Sequence, residues 1–129
     1  MFKLDPKSRK SIYEQVIDNL KELIMTGKLE AGEKLPSVRD LSKVITVNPN
    51  TVQKAYRELE RQGYTYTQSG LGTFVSDKKE ISVDKIELEK GKERLDDAVK
   101  QLKYMGLSNE EIEGIFNDLM SSSKGGILK

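Results

Sequence analysis

The residues from Asn48 to Arg57 gather side chains suited to one kind of chemistry. Asn48, Asn50, Thr51 and Gln53 bring amides and a hydroxyl, while Lys54 and Arg57 bring positive charge. Amides and hydroxyls can match the donors and acceptors on base edges, and the cations can hold phosphates. A single acid, Glu58, stands at the end of this run, where a generic surface helix would mix both signs. The missing residue types narrow the field further. The chain has neither histidine nor cysteine, which removes the commonest general base, the commonest zinc ligand, thiolate metal sites and disulfides. Ser-His-Asp and Cys-His catalysis cannot be assembled. No enzymatic activity, cofactor or metal site is expected.

Those side chains need a helix, and its start is marked. Asn48 is a favoured N-cap, Pro49 has the fixed φ of a first helical position, and a residue before proline is pushed toward extended backbone. Val52, Ala55, Tyr56 and Leu59 form the buried stripe, and Gly63 closes the helix. Just before it, Ser37 opens a shorter helix with Asp40 as its reciprocal capping partner and Val38, Leu41 and Val44 facing inward. An earlier helix starts at Ser11 with Glu14 completing a capping box. It carries Ile12, Val16, Ile17, Leu20, Leu23 and Ile24 on one face and ends at Gly27. After the reading helix, Tyr64–Thr67 and Thr73–Ser76 flank the turn Gln68–Gly72 and predict a hairpin, with Phe74 pinning it to the helices. Two helices, a tight turn, a third helix and a hairpin make a winged helix-turn-helix.

Beyond a polar joint at Asp77–Glu80, a long helix is predicted from Ser82 to Met105, with Gly91 interrupting its apolar pattern. Ser108 and Glu111 form another capping box. It opens a last helix with Ile112, Ile115, Phe116, Leu119 and Met120 inward, and Ser121–Gly126 follow as a loose tail. The fold class is therefore mostly α with a small β-hairpin, divided into a DNA-binding domain at 1–79 and a helical dimerisation tail at 80–129. Charge divides the same way. Residues 1–79 hold 14 Lys and Arg against 10 Asp and Glu, and residues 80–129 hold 8 against 11, which together give the net +1. A basic first half can meet phosphates that would repel the second. Two helices of this length cannot build a core alone, so residues 82–120 are expected to pair with a second copy. No apolar run reaches the roughly 18 residues of a membrane span. The first residues, Met1 to Asp5, lack the pattern of a secretory signal, so a cytoplasmic protein without membrane association is expected.

Four segments then resemble a known family in order and spacing. They are Gly32–Leu41 (GEKLPSVRDL), Val47–Val52 (VNPNTV), Ala55–Glu60 (AYRELE) and Gly72–Val75 (GTFV). From Ile12 to Val75 the chain resembles the DNA-binding domain of the GntR family of bacterial regulators. Its short two-helix tail is similar to the YtrA-like branch, whose members often repress operons for membrane transporters. The resemblance implies that Arg39 reaches DNA from the second helix and that Asn48, Asn50, Thr51 and Gln53 face the major groove. It also implies that Gly70 lets the wing approach the minor groove, with Ser37 and Lys54 near phosphates. Two departures stand out. Family members often have glycine in the helix–helix turn where this chain has Thr46, which predicts a different backbone geometry there. Their wing tip often carries Arg or Lys, whereas Gln68–Leu71 has none, which predicts weak wing binding.

Each candidate also has a plain structural role. Ser37 and Asn48 cap helices whether or not they meet DNA. Arg39 can pair with a nearby acid, and Lys54 and Arg57 can be ordinary solvated charges. Asn50, Thr51 and Gln53 have no evident packing role, whereas Tyr56 sits on the apolar stripe. The expected function is a sequence-specific regulator, acting as a homodimer on palindromic double-stranded DNA and repressing. A protein-interaction module and a non-specific architectural binder are the alternatives. Any small-molecule inducer would sit at a domain or subunit interface, because the tail is too short to enclose a cavity.

Overall fold

The computed structural model describes residues 2–122, and the chain divides after Ser82 into two compact units. The first contains α1 (Ile12–Met25), α2 (Val38–Ile45), α3 (Pro49–Arg61), β1 (Thr65–Gln68) and β2 (Gly72–Val75). The second contains α4 (Lys85–Tyr104) and α5 (Asn109–Ser122).

The start of α1 is closed by the expected box. The Glu14 amide donates to Ser11 Oγ, and the Ser11 amide donates to Glu14 Oε1, both at 3.1 Å. Val16, Leu20 and Ile24 then point into a core completed by Val52, Ala55 and Leu59 of α3, with Leu35, Leu41 and Val75. Each such valine, leucine or isoleucine contributes roughly 1.5–3 kcal/mol by leaving water, so α1 and α3 are locked together and the opposite face of α3 is fixed toward solvent. Tyr56 is buried on this stripe as expected. Its hydroxyl donates to the Pro36 carbonyl at 2.7 Å, tying α3 to the loop before α2.

Three expectations for α2 and its turn change. The Asp40 amide donates to Ser37 Oγ at 3.0 Å, but among the described residues no bond returns from the Ser37 amide to the Asp40 carboxylate. Aspartate is one methylene shorter than the glutamate that closes such a box. Val44 does not face inward: it is 80% exposed, and Ile45 packs on the core instead. Val38, Leu41 and Ile45 fall at i, i+3 and i+7 on one side, and Val44 lies about a quarter-turn away from it. The turn itself keeps the left-handed geometry that glycine would take. Thr46 has φ 56° and ψ 52°, with its own amide and that of Val47 both donating to the Ser42 carbonyl. Val47 then anchors on the core beyond it.

The hairpin pairs Thr65 with Val75, Tyr66 with Phe74, Thr67 with Thr73 and Gln68 with Gly72. Because side chains alternate, Thr65 and Val75 are buried while Tyr66 and Phe74 share the other face, stacked at 5.7 Å. Val75 therefore pins the wing to the helices, not Phe74. The segment before α2 also joins the hairpin. Gly32 N–H donates to Val75 O, Val75 N–H to Glu33 O, and Leu35 N–H to Thr73 O, all within 2.9 Å. The joint at 77–80 is a turn of 3-10 helix capped by Asp77, followed by Ile81 packed on the same core.

In the second unit α4 starts at Lys85, later than expected, because the Asp84 carboxylate caps the Ile86 and Glu87 amides. It passes Gly91 unbroken. Ser108 and Glu111 form the predicted reciprocal cap, with bonds of 3.2 and 2.8 Å. Ser121 and Ser122 extend α5 instead of beginning a tail; the remainder of the expected loose tail, 123–126, lies outside the described residues. Ile112 alone is buried among the described residues of this unit. Ile86, Leu88, Leu95, Tyr104, Met105, Leu119 and Met120 are all exposed, Tyr104 and Met105 by about three-quarters. No helix among the described residues is long and apolar enough to cross a membrane.

Candidate nucleic-acid interface

The solvent face of α3 holds the candidate reading residues. With Val52, Ala55, Tyr56 and Leu59 buried, Asn50, Gln53, Lys54 and Arg57 recur at i, i+3, i+4 and i+7 on the exposed side. Among the described residues none of these four side chains engages a protein partner. Thr51 stands at the flank of the stripe and is half-buried. Asn48 caps the helix, its Oδ1 accepting from the Asn50 amide at 2.7 Å. That occupies an acceptor and leaves its NH2 to donate outward.

The acid in this region is turned to internal use. Glu58 Oε1 and Oε2 accept from Arg61 Nε and Nη2 at 2.9 and 2.6 Å, and Gln62 donates to Oε2 as well. The Arg61 hydrogen bonds hold the Glu58 carboxyl down at about 2, and Lys21 assists through space. Its charge is thereby compensated beside the exposed polar stripe of α3, which leaves that face without an uncompensated acid.

Two open concavities gather other candidates. Arg39 of α2 and Asn48 line one, together with Lys43, Thr46 and Pro49. Lys43 was not singled out from the sequence, although its i+4 spacing from Arg39 was the available signal. Ser37 and Gly70 line the other, with Asp40, Leu71, Gly72, Thr73 and Lys34. The wing tip and the start of α2 are thus neighbours. Gly70 has φ +78° in a turn closed by Leu71 N–H to Gln68 O, and the space where its Cβ would stand is empty. The wing is braced against the reading helix where Thr67 Oγ1 donates to Glu60 Oε1 at 2.6 Å. Among the described residues no group of His, Cys, Asp or Glu is arranged to hold a metal ion.

This arrangement offers an exposed helix face of amides and cations, basic residues on the helix before it, and an adjoining wing, which is the geometry of groove reading. Comparison with known proteins agrees. The model of "Bacterial regulatory proteins, gntR family" matches residues 12–75. The HTH-type transcriptional repressor YtrA of Bacillus subtilis is 39% identical over 126 residues, covering 98% of this chain and 97% of that protein. A crystal structure described as a transcriptional antiterminator from Listeria monocytogenes EGD-e superposes with a TM-score of 0.82 at 36% identity, covering 100% of this chain and 93% of the other. AraR(DBD) in complex with operator ORE1 matches with a TM-score of 0.51 at 30% identity, over 59% of this chain and 93% of that one. These relatives are transcription regulators with a DNA-binding fold, not enzymes, and the chain described here belongs to the gntR family of bacterial regulatory proteins.

Proposed function

We propose that this DNA-binding regulator acts in the cytoplasm as a homodimeric repressor that reads a palindromic operator. Residues 1–79 hold the DNA and residues 80–129 hold the second copy. The observation that carries the reading is the unengaged stripe Asn50, Gln53, Lys54 and Arg57 on a helix whose opposite face is fully committed to the core. In this reading Asn50, Thr51 and Gln53 meet base edges, joined by Asn48 through its free amide donors. Arg39 enters from α2, and Ser37, Lys54 and Arg57 hold phosphates while Gly70 lets the wing approach the minor groove. Repression follows the function named for YtrA, which this chain matches over nearly its whole length.

A dimer is supported by the exposed apolar residues of α4 and α5, which a lone two-helix unit leaves in water. One reading helix touches few base pairs, and two copies joined by a twofold axis multiply affinity and read half-sites about 34–36 Å or a multiple apart. Any small-molecule inducer is not enclosed by the tail of one copy, which is too short to surround a cavity. Sedimentation of the intact chain should give a dimer at micromolar concentration; a monomer would overturn that assignment.

The DNA reading is tested by competition of a selected palindrome against random duplex at fixed salt. A preference of at least ~10³ is expected. Arg39→Ala and Gln53→Ala should each weaken operator binding while leaving the unfolding curve unchanged. Equal binding to all sequences favours an architectural binder. No binding at all favours a protein-interaction module.

A further inference from the structure

We infer that Lys34 supplies the positive charge that the wing tip lacks, clamping a phosphate beside Gly70. The proposal rests on the DNA-binding reading above and adds a contact to it. The wing tip Gln68–Leu71 contains no cation. Lys34 comes from the loop ahead of α2, yet it bridges to Phe74 in antiparallel fashion. The backbone bonds of Gly32, Glu33 and Leu35 to β2 fasten this segment along the free edge of the wing. Its side chain is laid along the hairpin: a Cβ added at Gly72 would stand 2.7 Å from Lys34 Cε and 3.5 Å from Nζ. The stem therefore crosses the backbone at Gly72, and the ammonium is delivered to the concavity that Ser37 and Gly70 also line.

Among the described residues nothing consumes that charge. Asp40 lines the same concavity, but among the described residues no carboxylate comes within ion-pair distance of Lys34. A lysine held against the wing by its stem, with its three donors unspent, is suited to a phosphate and not to a base edge, since it is a point charge without a fixed fork. Gly72 is held to glycine by its backbone, whose φ of +125° disfavours any side chain.

The test is the salt dependence of DNA binding by the intact chain, measured by anisotropy on a selected operator and on random duplex. Lys34→Met keeps the stem across Gly72 and removes the charge. It should weaken both duplexes by a similar factor and flatten the slope of log K against log salt by about one for each Lys34 engaged. Lys34→Arg should restore the slope. Lys34→Gln serves as a second neutral variant should the methionine disturb folding, judged by urea unfolding. An unchanged slope in a folded neutral variant, with Arg39→Ala still losing operator binding, overturns the clamp and leaves the reading helix standing. Weakening confined to the operator, with no change in slope, also overturns it, because that is the mark of base contact. If Arg39→Ala and Gln53→Ala both bind like the parent, it is the DNA-reading assignment that has failed.

Discussion

Replacing Thr46 by glycine should stabilise the protein, although it deletes the whole side chain. Thr46 is held at φ 56° by the turn between α2 and α3. A left-handed conformation costs an L-residue roughly 1–2 kcal/mol, because Cβ crowds the following carbonyl, and β-branching makes the fit worse. Its side chain is exposed, so truncation removes little packing, and the amide bond to Ser42 O belongs to the backbone and survives. Against this gain, glycine enlarges the unfolded ensemble by about 0.4–1 kcal/mol. The expected net is a stabilisation of about 0.5–1 kcal/mol for Thr46→Gly. Thr46→Asn should gain a few tenths of a kcal/mol, since asparagine tolerates this region. Thr46→Ala should stay near the parent, because it keeps the offending Cβ. Urea unfolding of the three variants gives the order directly, with m held constant as evidence that only stability has changed. A glycine variant that unfolds at lower urea than the parent, or an alanine variant that matches glycine, would refute the strain argument.

The remaining predictions concern single groups. Thr65 Oγ1 is buried with no hydrogen-bond partner among the described residues, so Thr65→Val should raise stability by about 1 kcal/mol in thermal or urea unfolding; destabilisation would show that the hydroxyl is satisfied. Glu58 is held down at about 2 from an ordinary 4.5, first by the Arg61 hydrogen bonds. Its pairing therefore stabilises the fold above pH 4.5 and is lost as pH falls toward 2. For a pair at the surface the effect is at most about 1 kcal/mol. Glu58→Gln should flatten stability across that window and lower it near neutrality. An unchanged acid limb in the variant would assign the loss to other carboxylates.

Much of this molecule was legible because its signals are local. Ser11 with Glu14, Ser108 with Glu111, and Asn48 with Pro49 each satisfy orphan amides within one turn, so their geometry follows from residue identity and spacing alone. The stripe Val52, Ala55, Tyr56, Leu59 dictated which face of α3 is buried and left the polar face by subtraction. Cases that depend on neighbours were not legible. Whether Val44 or Ile45 turns inward depends on where α2 meets the core, and both suit a helix of eight residues. Phe74 and Val75 alternate across one strand, and only the side on which the helices lie decides which of them anchors the wing. Thr46 keeps a left-handed turn because core contacts on both sides, Ile45 and Val47, leave the chain no other path. The candidate site divides the same way. Its exposed polar stripe on α3 was written in the sequence, whereas the joining of Ser37 with Gly70, and the arrival of Lys34 at the wing, required strands and loops distant along the chain to be folded together.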